Sequence, residues 1–167
     1  MKIETSRLLI TDFTPDMAPA LSRISLDEDV QRFVPDEVFP TAEIAAEVIA
    51  DLSALYGTTD GPLVHPVLLQ GELIGYVQMV PLGEGEWEIG YHISAEHTGK
   101  GYASEAVSAF LPPMMELLGL ERVTGVCLKE NAASARVLEK CGFTLDFAGE
   151  APYQGHPAQI RRYHYAR

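Results

Sequence analysis

The stretch WEIGYHISAEHTGKGYASEA, residues 87–106, decides how this chain is organised. An apolar strand pattern runs into a turn containing Gly99 and Gly101, and the small residues after the turn are typical of a helix. Glycine lets the backbone take positive φ or approach a ligand closely. The free N–H groups of a first helical turn can face negative oxygens, and Lys100 adds a positive charge there. The stretch therefore predicts an anion-binding cradle.

The spacing of this cradle separates several phosphate-binding motifs. A Walker loop needs Ser or Thr directly after its lysine, but Lys100 is followed by Gly101, which disfavours a nucleoside triphosphatase. The dinucleotide fingerprint needs a third glycine where this chain has Ser104, so its match to a nucleotide-binding oxidoreductase is partial. A glycine turn without any ligand is the remaining alternative, because glycine commonly marks turns that have only a structural role.

A second motif follows the cradle after an apolar strand pattern at 123–128. It reads NAASARVLEKCGF and spans residues 131–143. Together with GKGYASEA at 99–106, it strongly resembles the GNAT acyltransferase superfamily, whose Gln/Arg-x-x-Gly-x-Gly/Ala loop is matched here by Thr98–Ala103. Within that superfamily the chain is most similar to the ribosomal-protein alanine N-acetyltransferase (RimJ/RimL-type) branch. The opening segment Glu4–Leu9 is also similar to the start of that branch.

The fold expected from the patterns and from this resemblance is a single GNAT domain over residues 1–167. It is an α/β (α+β) fold with a mixed, mostly antiparallel sheet of about seven strands and helices on both faces. The segments 63–69, 73–80 and 86–93 predict an antiparallel meander that ends at the cradle.

Two helices carry specific expectations. Thr41 is placed as the N-cap of a helix, with Ile44, Val48, Leu52 and Leu55 as its buried stripe. In the helix after the cradle, Pro112 and Pro113 predict a kink or a break, because proline removes a hydrogen bond and clashes with the preceding turn.

The resemblance implies acetyl-CoA as the donor, with its pyrophosphate on main-chain N–H groups of the cradle. Thr98 stands where the family usually has Arg or Gln, so a charge or an amide is missing there. Asn131 is expected to contact the pantetheine arm, to cap its helix, or to do both. The predicted donor site comprises Ile93, Thr98, Gly99, Lys100, Gly101, Tyr102, Ala103, Ser104 and Asn131.

Acetyl transfer needs a neutral amine, a route for its proton, and a donor for the departing thiolate. Glu88, on the strand that enters the cradle, is the candidate base through water, and the alternative is a solvated carboxylate on the sheet. His92 shares its strand face by two-residue alternation and is the second candidate. Many GNAT enzymes have a general-acid Tyr where this chain has Leu138. We therefore expect Ser134 to protonate or hydrogen-bond the leaving sulfur. The alternative is a serine on the helix surface without a catalytic role.

Acceptor contacts are expected from two regions that border the acceptor in related folds. Arg32 and Phe33 lie in a short helical segment expected over residues 27–34, and Asp36 follows it. The alternative for each is an ordinary surface or packing role. Tyr153, with Gln154 and His156, is expected in the loop between the last two strands. Arg32, Phe33, His92 and Tyr153 form the predicted substrate-binding set.

The composition of the chain limits the classes of partner that it can bind. It has 24 acidic against 12 basic residues, a net charge of −12, which argues against nucleic acid as the main partner. This acidity favours a cationic or amine substrate, or it only maintains solubility. No metal-ligand spacing is visible, and Cys127 and Cys141 are expected to be thiols in a reducing compartment. Without a long apolar run or an N-terminal leader pattern, we expect a soluble cytoplasmic protein, a monomer or a homodimer.

These observations predict an acetyl-CoA-dependent N-acetyltransferase acting on a protein or peptide N-terminal α-amine. A small-molecule amine is the alternative acceptor. A non-catalytic acyl-CoA-binding module would also explain the changed Thr98 and Leu138 positions. The nucleotide-binding oxidoreductase remains as a third class on the partial glycine match alone.

Overall fold

A single sheet of eight strands forms the centre of the molecule in a computed structural model that describes all 167 residues. The strands are β1 (Ile3–Glu4), β2 (Leu8–Ile10), β3 (Leu63–Leu69), β4 (Glu72–Gly83), β5 (Glu86–Ile93), β6 (Arg122–Leu128), β7 (Thr144–Tyr153) and β8 (His156–Ala166). Their spatial order is β1-β2-β3-β4-β5-β6-β8-β7, and every neighbouring pair is antiparallel except β5 with β6. The mixed, mostly antiparallel sheet is confirmed.

The strand beyond the expected seven is β1. It pairs with β2 through two residues, Ile3 opposite Ile10 and Glu4 opposite Leu9. A two-residue strand is too short to carry an alternating pattern, so its sequence gives no signal.

The chain has five helices, and helices cover both faces of the sheet, as expected. They are α1 (Ala18–Ser25), α2 (Glu28–Phe33), α3 (Ala42–Ala54), α4 (Tyr102–Leu118) and α5 (Ala132–Lys140). Helices α1 and α3 share one buried cluster with β3 and β4, whereas α4 and α5 share the larger one on the other face. None of the helices has both the length and the hydropathy needed to cross a bilayer.

Helix α3 begins as predicted but buries a different stripe. The Thr41 hydroxyl accepts a hydrogen bond from the Ile44 N–H at 3.2 Å. The buried residues are Ala45 and Ile49, while Ile44 is 41% exposed. The expected stripe is therefore wrong at Ile44, whereas Leu52 and Leu55 are partly buried against the core. Apolar residues surround most of this helix, so their period does not select one face.

Helix α4 runs without interruption through Pro112 and Pro113, so the expected break is wrong, and the kink stays a prediction. Both prolines are exposed, which leaves the carbonyls that lose their intrahelical donors on the side nearest solvent. Packing then holds the helix together, because four neighbours of the prolines are at most 2% exposed: Phe110, Leu111, Met114 and Met115.

The sheet opens between β5 and β6. These two parallel strands pair at a single position, Glu88 opposite Thr124, whereas β5 pairs with β4 along its whole length. Beyond that pair the two strands no longer hydrogen-bond to each other. Helix α4 follows β5 and helix α5 follows β6, so both helix N-termini lie at the open end.

Candidate active site

A cavity of about 1190 Å³ lies at the opening between β5 and β6. Pockets for one small ligand usually measure about 300–1,000 Å³, so this one has room for two substrates. The starts of α4 and α5 line one end, which we call the donor end. The segment after α2, one face of β5 and the β7–β8 hairpin line the other, which we call the acceptor end.

The glycine turn forms an open cradle at the donor end. Gly99 and Gly101 have φ of 75° and 82°, and no atom lies within 4 Å of where a Gly99 side chain would begin. No side chain caps the N-terminus of α4, so its first N–H groups are available to an anionic ligand. The residues of the cradle that line the cavity are Thr98, Gly99, Gly101, Tyr102, Ala103 and Ser104. This arrangement fits the phosphates of a CoA-type donor.

Two predicted donor-site residues have side chains that hydrogen-bond to the protein main chain. Lys100 does not line it, and its Nζ donates to the Glu96 carbonyl at 3.5 Å. Thr98 does line it, but its hydroxyl donates to the Ala95 carbonyl at 3.0 Å and so closes the turn. The cradle therefore presents backbone rather than side chains.

The start of α5 brings Asn131 and Ser134 into the cavity. Asn131 Oδ1 accepts the Ser134 N–H at 3.2 Å, so it caps the helix as well as lining the cavity. The Tyr91 hydroxyl lies 2.9 Å from Ser134 Oγ and donates to the Ser134 carbonyl at 2.9 Å. Burial raises the pKa of Tyr91, which keeps this hydroxyl protonated.

Tyr91 is a cavity residue that the sequence analysis missed. The signal was present, because alternation along β5 puts Tyr91 on the same face as Ile93, a predicted donor-site residue. Leu138 is 1% exposed and packs against Gly125, where a side chain would begin 2.6 Å from Leu138 Cδ2. Tyr91 thus supplies a phenol beside Ser134 although α5 carries none.

Glu88 lies half-buried in the cavity at the last point where β5 and β6 pair. No hydrogen bond or ion pair holds its carboxyl. Burial, followed by the negative charge of Glu37, raises the pKa of Glu88 to about 7. A carboxyl with that pKa can accept and release a proton near neutral pH.

Glu37 is a second cavity carboxyl, and the sequence analysis missed it as well. It accepts hydrogen bonds from the Tyr76 hydroxyl and from Gln78 Nε2, the latter at 2.8 Å. Gln78 reaches it across β5 because its neighbour there is Gly90, where a side chain would begin 2.6 Å from Nε2. Burial raises the pKa of Glu37. Two carboxyls therefore occupy one end of the cavity.

His92 also lines the cavity, but its ring is tied to Asp27. Nε2 lies 3.3 Å from Asp27 Oδ2, and the same oxygen accepts the Ala95 N–H at 2.9 Å. Burial lowers the pKa of His92, so the ring is neutral at neutral pH. His92 thereby links the start of α2 to the end of β5.

The acceptor-site predictions divide into two groups. Phe33, Asp36, Tyr153 and Gln154 line the cavity, and the Tyr153 hydroxyl donates to the Phe33 carbonyl at 3.0 Å. Burial, with the nearby charge of Glu88 next, raises the pKa of Tyr153 to about 12.

Arg32 and His156 lie outside the cavity lining. Arg32 Nη2 is 3.2 Å from Glu130 Oε2, and its guanidinium lies 4.8 Å from the centre of the Phe33 ring. Neither residue therefore presents its side chain to a ligand in this cavity.

The acceptor end carries an excess of negative charge. The two arginines that line it, Arg122 and Arg162, are each paired with Asp146 at 2.9 Å. Such a lining attracts an ammonium group and repels a carboxylate. The acidic residues of this lining are Asp29, Asp36, Glu37, Glu86 and Glu88.

Comparison with protein families and curated proteins gives one consistent result. Residues 7–144 match the family described as Acetyltransferase (GNAT) domain. The chain is 33% identical over 145 residues to the uncharacterized N-acetyltransferase YnaD of Bacillus subtilis (strain 168), covering 85% of this chain and 82% of that protein.

Solved structures share the whole fold. An acetyltransferase (GNAT family) from Bacillus anthracis superposes with a TM-score of 0.82 at 27% identity, over 99% of this chain and 98% of that one. The RimL ribosomal L7/L12 alpha-N-protein acetyltransferase in complex with coenzyme A gives 0.85 at 19% identity, over 99% and 98%. At 19% identity, the similarity to the second structure shows a shared fold and nothing more.

Proposed function

Since the chain belongs to the GNAT family and is an acetyl-CoA-dependent N-acetyltransferase, we propose that its acceptor is the α-amine of a protein or peptide N-terminus. One observation carries this proposal: Glu88, a carboxyl with a pKa of about 7, lies in the cavity with no hydrogen-bond partner. An α-amine has a pKa of about 8, close to that base, whereas a lysine amine has about 10.4. A base of this strength suits the α-amine.

Acetyl-CoA supplies the activated acetyl thioester, and the main chain of the protein holds it. The N–H groups at the start of α4 and the open glycines fit its phosphates. Ile93 ends β5 beyond the last pair with β6, so the edge of β5 that faces β6 is free there to bind the pantetheine arm. Asn131 borders the same path from the start of α5.

Glu88 takes the proton of the amine, directly or through one water. The negative lining of the acceptor end draws in the ammonium form, and Glu88 then removes its proton. Neutral His92 is the second candidate for this step, although its hydrogen bond to Asp27 gives it a structural role. Glu37 acts beside Glu88 by raising its pKa.

Ser134 is placed to stabilise the departing sulfur. Tyr91 remains protonated and donates to the Ser134 carbonyl, and its hydroxyl oxygen lies 2.9 Å from Ser134 Oγ, where it holds that hydroxyl at the cavity wall. A hydrogen bond to a developing thiolate stabilises the charge that appears there. Tyr91 acts through Ser134 and is a positioning residue.

Ser134→Ala and Tyr91→Phe are each expected to lower kcat about tenfold, the effect of one hydrogen bond to a developing charge. The KM for acetyl-CoA should stay unchanged, and the double variant should fall no further than either single variant. Steady-state kinetics at saturating acceptor measures this. Tyr163→Phe is the matched control, because its hydroxyl bonds Glu139 of the same helix and does not line the cavity. An unchanged kcat in Ser134→Ala removes that role from Ser134.

The nature of the acceptor is tested with a series of increasing chain length. An amino-acid amide, a dipeptide amide and a tetrapeptide amide share the same N-terminal residue and carry no carboxylate. We expect kcat/KM to rise with each residue, since the acceptor end has room beyond the amine. If the amino-acid amide reacts as well as the tetrapeptide amide, the acceptor is instead a small-molecule amine. Binding of acetyl-CoA without release of thiol to any amine contradicts both.

A further inference from the structure

The segment before β2 contacts the cradle through one residue, Arg7. Its Nη1 donates to the Lys100 carbonyl at 2.9 Å, and its Nε donates to Glu105 Oε2 at 2.6 Å. The guanidinium also lies 4.5 Å from the centre of the Tyr102 ring. Arg7 therefore bridges the last residue of the turn and the first turn of α4.

The bond from Arg7 to the Lys100 carbonyl fixes the orientation of the next N–H group. In a planar trans peptide the C=O and the following N–H point in opposite directions. With the Lys100 carbonyl directed at Arg7, the Gly101 N–H points away from Arg7, and no main-chain acceptor of the protein takes it. Gly101 lines the cavity, so this N–H is available to a ligand there.

Glu105 holds Arg7 in place. Its Oε1 also accepts the Thr5 hydroxyl at 2.5 Å, the Arg7 main-chain N–H at 3.1 Å and the Ser6 hydroxyl at 3.3 Å. Partial burial opposes ionisation, but the hydrogen bonds from Thr5 and Arg7 outweigh it and lower the pKa of Glu105. The Glu105 side chain is 16% exposed and that of Arg7 is 43% exposed, so solvent shields this pair only at the Arg7 side.

We infer that Arg7 is the positioning residue of the phosphate cradle. It holds the Lys100–Gly101 peptide with its N–H toward the donor. This orientation matters because Thr98 brings no charge to the turn and the Lys100 ammonium is directed at Glu96, so the donor phosphates depend on main-chain N–H groups. The inference rests on acetyl-CoA binding at this cradle.

The test compares CoA with pantetheine, which lacks the phosphates, by isothermal titration of wild type, Arg7→Met and Arg7→Lys. Arg7→Met should bind CoA about tenfold more weakly, as expected for a lost charged hydrogen bond, and pantetheine as tightly as wild type. Arg7→Lys should recover less than half of the lost free energy, because one ammonium cannot replace a guanidinium fork. Arg23→Met is the control, since Arg23 only approaches Glu72 at 4.0 Å on the surface.

Three results would overturn this inference. Unchanged CoA affinity in Arg7→Met would remove any role in the cradle. Equal weakening for CoA and pantetheine would mean that Arg7 only supports the fold. Full recovery in Arg7→Lys would mean that charge alone acts, without orientation of the peptide. A wild-type protein that fails to bind CoA would instead contradict the donor site itself.

Discussion

Replacing Glu88 with Gln is expected to lower kcat about a hundredfold, the effect typical of losing a general base. Glutamine keeps the shape and polarity of the side chain but cannot take the proton of the amine. Because burial raises the pKa of Glu88 to about 7, the basic form accumulates as the pH rises through that value. Measured at saturating substrates, the wild-type rate should rise through pH 7, and the variant should lack this rise.

His92→Gln is the control for this experiment. It changes the other titratable side chain on the same strand face but should keep the rise in rate near pH 7, since burial lowers the pKa of His92. A Glu88→Gln enzyme with the wild-type profile would remove Glu88 as the base. Loss of the rise in His92→Gln alone would assign the base to His92.

The same substitution should stabilise the protein in alkaline solution. A carboxyl whose pKa is raised from 4.5 to about 7 on folding binds its proton more tightly in the native state. Glu88 therefore contributes fully to folding stability below the pKa it has in the unfolded chain. That contribution is lost as the pH rises through its pKa in the folded protein. Discounted for partial exposure, this loss is about 2 kcal/mol. Denaturant unfolding at about pH 8 should show Glu88→Gln to be more stable than wild type, with little difference at about pH 4.

Gly101→Val is expected to weaken CoA binding at least a hundredfold, about 2.7 kcal/mol. A β-branched residue at a φ of 82° is strained. Its side chain would also begin 3.5 Å from Arg7 Nη2, so its added methyl groups would crowd the contact between Arg7 and the cradle. Calorimetric titration with CoA gives the loss of affinity directly.

Gly57→Val separates these two effects. Gly57 has a φ of 81°, no atom lies within 4 Å of where its side chain would begin, and it does not line the cavity. The two variants should lose similar stability, and only Gly101→Val should lose CoA affinity. If both retain wild-type affinity, the donor phosphates bind elsewhere.

The parts of the site that the sequence predicted are those set by local backbone chemistry. Gly99 and Gly101 mark the cradle because their spacing before a helix demands positive φ. Asn131 marks the start of α5 because an N-cap side chain acts within its own turn. Such features depend only on residues that are close in sequence, so no knowledge of the fold is needed to find them.

The missed residues depend on contacts between distant segments. Leu138 showed that the usual phenol was absent from α5, but Tyr91 lies 43 residues before Ser134, on another element. Glu37 needs the β4–β5 register, which sets Gln78 beside Gly90, before its hydrogen bonds can exist. Arg32 and Phe33 show the same limit, because one faces Glu130 and the other faces the cavity.

We propose that this cavity transfers acetyl from acetyl-CoA to an α-amine. The direct measurement uses peptides with a free N-terminus, one internal lysine and mixed residues at the first two positions. After reaction with acetyl-CoA at about pH 7.5, where the α-amine is partly neutral and the lysine is almost fully charged, fragment masses locate the acetyl group. We expect acetylation at the N-terminal amine. Acetylation at the lysine, or of no peptide at all, would contradict it.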